Sequence, residues 1–132
     1  MTPSRDGSGP HDVLVIDDDA SVRALLDSLL SAEGYEVRTA ADGLAGLRSF
    51  ATRPPACVVL DVMMPSMDGY EVLEQIRGRH HDSGVAVVML TAASDDRHAW
   101  RAWQGGVDYF LGKPFDINHL LRYLTTLFGT AA

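Results

Sequence analysis

Residues 57–61 read Cys57-Val58-Val59-Leu60-Asp61, four apolar residues in a row and then a carboxylate. Such an unbroken run fits a strand buried on both faces, because successive side chains point to opposite sides and both sides must be covered. Four more short runs share the chain with it: Val13–Ile16, Tyr35–Thr39, Val85–Leu90 and Tyr109–Leu111. Between them the apolar residues repeat at helical spacing. Val22, Leu25, Leu26, Leu29 and Leu30 form one helical face that Gly34 ends. Leu44, Leu47 and Phe50 mark a second helix, closed before Pro54-Pro55, and Tyr70, Leu73 and Ile76 mark a third with Asp68 as its cap. Ala99, Trp100 and Trp103 mark a fourth, terminated by Gly105-Gly106. Ile117, Leu120, Leu121, Leu124 and Phe128 mark a fifth, capped by Asp116.

Strand and helix alternate five times, which predicts an α/β fold: a doubly wound five-stranded parallel sheet with five helices. The 132 residues suffice for one domain, and 46% apolar residues is ordinary for a globular protein. The expected organisation is a disordered Gly/Pro/Ser-rich lead-in over 1–11, one domain over 12–129 and a short tail over 130–132. Eleven basic residues against eighteen acidic ones give a net charge of −7, which opposes a nucleic-acid surface. No apolar stretch approaches the roughly 20 residues that span a bilayer, and the N-terminus lacks the apolar middle of a signal peptide. The lone cysteine, Cys57, excludes an internal disulfide and reads as a buried core thiol. A soluble protein of the reducing cytoplasm is expected.

Chemistry-bearing residues gather just after the strands. The first run ends in Asp17-Asp18-Asp19, the third in Asp61, the fourth in Thr91 and the fifth in Lys113-Pro114. Open parallel sheets bind ligands beyond the carboxyl ends of their strands, where the winding reverses. With the first strand beside the third, Asp17, Asp18 and Asp61 meet there, since neighbouring strands lie only ~4.8 Å apart. Clustered carboxylates repel one another and invite a hard divalent cation, and Mg2+ suits a site of few carboxylates that keeps room for phosphate oxygens. Lys113 adds a point charge and Thr91 a hydroxyl donor. Singly, each residue has an ordinary explanation as a helix cap, a turn residue or a surface lysine. Four strands ending in these types, in this order, point together to phosphoryl chemistry.

At these residues the chain resembles response-regulator receiver domains of two-component signalling, including the chemotaxis regulators. VLVIDDD at 13–19 is similar to the family's acidic first-strand signature, and VVLDVMMPSMDGYEVL at 58–73 resembles its phosphoacceptor strand and loop, with Pro65, Asp68 and Gly69. VVMLTA at 87–92 and FLGKPF at 110–115 resemble the remaining two. The resemblance runs from Val13 to Phe128 and implies a flavodoxin-like sheet of order 2-1-3-4-5. It implies that Asp61 is the phosphoacceptor, charged by a histidine kinase or phosphotransfer protein, and that Asp17 and Asp18 hold Mg2+. Asp18 is then the direct ligand, Asp17 acts through water, and Met63 offers its backbone carbonyl. Thr91 and Lys113 contact the phosphoryl group, Phe110 is the rotating aromatic switch, and the Lys113–Pro114 bond is cis.

Adding a phosphoryl group brings about −1.5 to −2 charge and three acceptor oxygens. Drawing Thr91 and Lys113 inward leaves room for Phe110 to turn, which biases the surface of helix 4, strand 5 and helix 5 in the predicted order. Phe110 stands where the family more often has Tyr, so no hydroxyl contact is available there. Gly112 is smaller than the usual residue before the lysine. Met63 and Ala93, two residues beyond Asp61 and Thr91, lie where side chains limit the approach of water. Trp103 reads as core, whereas Trp100 is a candidate partner or dimer surface, with a phosphorylation-dependent homodimer among the expected assemblies. His80-His81 read as a solvated loop without metal-ligand spacing, and Met63, Met64 and Met67 as loop packing.

A stand-alone receiver acting through an unspecified downstream protein is the expected form, with a receiver inside a longer transcription factor or hybrid kinase as the alternative. A haloacid-dehalogenase-type phosphatase also uses an Asp nucleophile and Mg2+, but it needs a second Asp where Met63 stands. A nucleotide-binding module lacks its Gly-rich loop after the first strand. The domain is therefore expected to accept a phosphoryl group and lose it again without being a conventional enzyme.

Overall fold

The computed structural model describes residues 11–80, 84–92 and 106–129. Its strands are β1 (Asp12–Ile16), β2 (Glu36–Ala40), β3 (Cys57–Asp61), β4 (Ala86–Ala92) and β5 (Tyr109–Lys113). Its helices are α1 (Ala20–Ala32), α2 (Gly43–Thr52), α3 (Gly69–His80) and α4 (Ile117–Phe128). All strand pairs are parallel and the order is β2-β1-β3-β4-β5, as expected. The helix predicted around Ala99, Trp100 and Trp103 lies outside the described residues.

Alternation along the strands divides the core in two. Leu14, Ile16, Val58, Leu60, Val87 and Met89 face α2 and α3, where they pack with Phe50, Val72, Leu73 and Ile76. Val13, Val15, Cys57, Val59, Val88 and Leu90 face α1 and α4, where they meet Leu26, Leu30, Leu120 and Leu124. Both faces of the central strands are thus covered, which is why the runs read as continuously apolar rather than alternating. Cys57 is fully buried, and that burial pushes its thiol pKa up.

Two leucines assigned to buried helical faces are instead half exposed: Leu25 at 50% and Leu44 at 52%. In α1 only Leu26 and Leu30 are fully covered. In α2 the buried face is made of Gly43, Gly46 and Phe50. A Cβ at Gly46 would press into the Ile16 side chain, 2.8 Å from its Cγ1. Gly46 therefore lets the α2 backbone lie close to β1 and Gly43 lets it lie close to Val72 of α3, while Leu44 is left half exposed.

Each helix begins at the carboxyl edge of the sheet under an aspartate cap. Asp19, Asp42 and Asp116 accept from the backbone N–H of Ser21, Ala45 and Asn118 at 2.8–2.9 Å. Asp68 accepts from Glu71 N–H at 2.9 Å, while the Glu71 carboxylate accepts from Asp68 N–H at 3.2 Å, a reciprocal capping box. At the opposite end, Arg38 binds Asp12 at 2.9 Å and the Ser49 carbonyl at 2.9 Å. There too, Arg77 joins α3 to the Val85 carbonyl, the Gly106 carbonyl and Asp108. His11, placed in the lead-in by sequence, accepts from Glu36 N–H through its carbonyl and stacks on Phe128 with ring centroids 4.2 Å apart.

Gly69 opens α3 directly against the end of β3. Its N–H donates to the Val62 carbonyl at 2.8 Å, and a Cβ there would meet the Asp61 carbonyl oxygen, with Val62 Cα and Met89 Cε each at 2.9 Å. Gly78, in the exposed part of the same helix, has open space around it. Chemical denaturation should find Gly69→Ala less stable by about 1–3 kcal/mol. Gly78→Ala should be more stable by about 0.5–1 kcal/mol, through helix propensity and a less flexible unfolded chain.

Candidate functional site

The winding reverses at β1, between β2 on one side and β3 on the other, and the residues leaving β1 and ending β3 share one pocket. Ile16 is level with both Ala40 and Leu60, so Asp17 emerges beside Asp61. One oxygen from each of Asp17, Asp18 and Asp61 lies within 4.8 Å of the others. Asp17 and Asp61 are buried and Asp18 is exposed.

Asp17 is held from several directions. Its N–H donates to the Ala40 carbonyl at 3.1 Å and its own carbonyl accepts from Arg23 at 2.8 Å. One carboxylate oxygen accepts from Asp19 N–H at 2.9 Å and the other from Lys113 Nζ at 3.1 Å. Lys113, at the far edge of the sheet, extends past β4 and also reaches Asp61 Oδ1 at 3.1 Å. One ammonium thus bridges the two buried carboxylates.

Burial, and then the charge of Asp17, push the Asp61 pKa up to about 6, against the pull of Lys113. Partial burial works against the Lys113 charge, yet hydrogen bonds and attraction from Asp61 and Asp17 outweigh it and raise the lysine pKa. Asp61 is therefore a carboxylate poised near neutrality that any added positive charge would ionise fully.

The remaining expected residues are distributed unevenly. β3–β4 register sets Leu90 opposite Asp61, which leaves Thr91 one residue further along β4, its hydroxyl donating to the Ala92 carbonyl at 3.1 Å. Thr91 and Lys113 were expected just after their strands, but they belong to β4 and β5, because the ladder continues to the Ala92–Lys113 pair. The Lys113–Pro114 bond is cis, as expected. Phe110 is half-buried against the core under α2 and α3.

Met64 and Met67 pack on that core, but Met63 is 64% exposed, so the loop-packing reading fails for Met63. Met63 lies in the loop two residues beyond β3, and its side chain is turned to solvent rather than toward the packing of Met64 and Met67. His80 is the last residue of α3 rather than part of the following loop. Trp100, Trp103 and Ala93 lie outside the described residues.

Sequence reading missed the bond from Lys113 to Asp17 and the grip of Arg23 on the Asp17 carbonyl. The first joins residues 96 positions apart and has no local signature. The second has one: Arg23 lies one turn into the helix that follows Asp17.

Because the folded-state pKa of Asp61 is raised, its contribution to stability is fully present below its ordinary value of 3.8 and is lost as pH rises through about 6. In metal-free buffer at pH 8, Asp61→Asn should therefore be more stable than wild type by about 1–3 kcal/mol. Thermal melts should show that gap narrowing toward pH 4.

A family model described as response regulator receiver domain matches residues 13–125. A probable transcriptional regulator ycf27 of Porphyridium aerugineum is 44% identical over 108 residues, covering 82% of this chain and 44% of that protein. Response regulator MprA of Mycobacterium sp. (strain KMS) is 40% identical over 118 residues, covering 89% of this chain and 50% of its own. The chain spans about half the length, or less, of these curated relatives. Among solved structures, chemotaxis protein CheY4 of Vibrio cholerae aligns with a TM-score of 0.83 at 30% identity, covering 89% of this chain and 98% of that one. The receiver domain of NtrX from Brucella abortus aligns with a TM-score of 0.82 at 32% identity, covering 90% and 99%. With the family match spanning nearly all the described residues and the acidic pocket at the carboxyl edge of a 2-1-3-4-5 sheet, the chain belongs to the response regulator receiver domain family.

Proposed function

We propose that this domain is a phosphorylation-controlled switch in which Asp61 accepts a phosphoryl group from a phosphohistidine on a histidine kinase or phosphotransfer protein. The observation that supports this is the bridge from Lys113 to Asp17 and Asp61 beside the exposed Asp18. One oxygen of Asp61 attacks phosphorus, the bond from phosphorus to the donor imidazole nitrogen breaks, and its electron pair stays on that nitrogen, which takes a proton from solvent. The product is an acyl phosphate on Asp61, and Lys113 lies close enough to bind its oxygens.

The donor set is hard oxygen and carries three carboxylates, which fits Mg2+. Asp18 and Asp61 would hold it directly and Met63 through its backbone carbonyl. Asp17, with both oxygens already engaged, suits a role through water. When bound, the cation would offset the charge that builds on the transferring oxygens.

In this reading Thr91 would turn its hydroxyl from the Ala92 carbonyl, to which it donates at 3.1 Å, toward the phosphoryl group, and Phe110 would follow into the space vacated. The change would be read on β5 and α4, together with the predicted helix carrying Trp100, by a downstream protein or a second copy of the chain. Each chain takes one phosphoryl group and loses it to water, so the domain is a switch rather than a conventional enzyme. No helix among the described residues is long and apolar enough to cross a membrane, which agrees with a cytoplasmic site of action. The alignment covers 98% of CheY4, and the same switch chemistry would serve a stand-alone regulator. The longer ycf27 and MprA relatives support a receiver within a larger regulator, and the switch chemistry is common to both.

Intact-mass analysis after incubation with acetyl phosphate tests this reading. Wild type should gain one phosphoryl group only when Mg2+ is present, and Asp61→Asn should gain none. Equal labelling of Asp61→Asn would transfer the acceptor role to another residue.

A further inference from the structure

A second concavity opens at the carboxyl edge of the sheet and shares no residue with the acidic pocket. It measures about 480 Å3 and is lined by residues 41–44, where the chain enters α2, and by residues 65–67 of the loop between β3 and α3. Gly43 and Met67 close its inner side. Gly43 is buried, and a Cβ there would lie 3.0 Å from Met67 Sδ and 2.9 Å from Val72 Cγ2, so the two walls meet at this point. The mouth is open to water, and Leu44 stands there 52% exposed despite its large apolar side chain. Pro65 and Ser66 form the opposite lip, with Ser66 in the left-handed region at φ 71°. Asp42 supplies charge. Its Oδ1 caps α2 by accepting from Ala45 N–H at 2.8 Å, and it forms no ion pair among the described residues.

We infer that this cavity is a docking site for a segment of a partner protein that carries an aromatic side chain next to an arginine or lysine. Volume and chemistry select that occupant. Pockets of roughly 300–1,000 Å3 take compact apolar groups with a few polar contacts at the edge. Leu44, Pro65 and Met67 offer the apolar walls here. Side chains that anchor one protein in a pocket of another are enriched in Trp, Tyr and Arg. Asp42 provides the carboxylate that a basic neighbour of the anchor would pair with, and the whole chain carries a net charge of −7. That charge turns away acidic peptides and anionic lipid surfaces, and draws in a basic segment. Covering the half-exposed Leu44 with an aromatic ring removes apolar surface from water, which favours the docked state. The inference does not depend on whether Asp61 accepts a phosphoryl group.

Two capped dipeptides, acetyl-Trp-Arg-amide and acetyl-Trp-Glu-amide, titrated into the 15N-labelled chain test the site by NMR. The Trp-Arg peptide should shift the amide resonances of residues 41–44 and 66–67 saturably, and bind about threefold or more tightly than Trp-Glu. Asp42→Asn keeps the helix cap, since Asn caps as well as Asp, and should erase that preference. Leu44→Ser should weaken both peptides about threefold and leave the preference intact. The inference is overturned if neither peptide shifts these amides, if the shifts centre instead on Asp17 and Asp18, or if Asp42→Asn keeps the preference. It is overturned equally if the same amides move when the free protein is concentrated, because a second copy then fills the cavity. Comparing the two peptides on wild type needs no substitution, so a misfolded variant leaves the test standing.

Discussion

Repulsion among Asp17, Asp18 and Asp61 is the constraint around which the carboxyl edge of this sheet is arranged. Three carboxylates with oxygens inside 4.8 Å do not stay ionised together unless positive charge is supplied. The compensation by Lys113 is partial: it lies 3.1 Å from two of the three carboxylates, and the Asp61 pKa is still pushed up to about 6. An acceptor in this condition responds to its charge environment. Added cations ionise it, and an added phosphoryl group replaces its negative oxygen with a larger and more highly charged one.

The scaffold makes that charge cluster tolerable by fixing it from the backbone outward. Fully buried strands set the register that puts Asp17 beside Asp61, and the close approach of Gly69 seats α3 against the Asp61 carbonyl. Aspartate caps start every described helix at this same edge, and their bonds to backbone N–H groups satisfy donors that would otherwise be free. Negative charge is therefore concentrated here by ordinary helix-starting chemistry as well as by the pocket. Arginine clusters Arg38–Asp12 and Arg77–Asp108 lie at the opposite end, where they join helices to strands and leave the pocket to Lys113.

Much of this was legible in the residues. Buried parallel strands announce themselves as unbroken apolar runs, and the residue that follows each run is placed at the ligand-binding edge by the topology alone. This is how Asp17, Asp61, Thr91 and Lys113 could be grouped without coordinates. Helix faces were less legible: in α2 the close contacts are made by Gly46 against the sheet and Gly43 against α3, and an apolar-periodicity reading follows leucines, not absent side chains. Met63 misled for a related reason, since hydrophobicity states what a residue can bury and not whether the turn points it inward. The Lys113–Asp17 bond escaped because it depends on how far a flexible stem reaches across the sheet, and nothing near either residue in sequence encodes that distance.

The charge balance of the pocket is most directly tested by following the Asp61 carboxyl carbon by 13C NMR through a pH titration, with and without Mg2+. A midpoint near 6 in the metal-free protein that falls below about 4 with saturating Mg2+ is the expected result. A metal-free midpoint at the ordinary value of 3.8, or one near 6 that Mg2+ leaves unmoved, would contradict a pocket in which Asp61 is held near neutrality and is relieved by a bound cation.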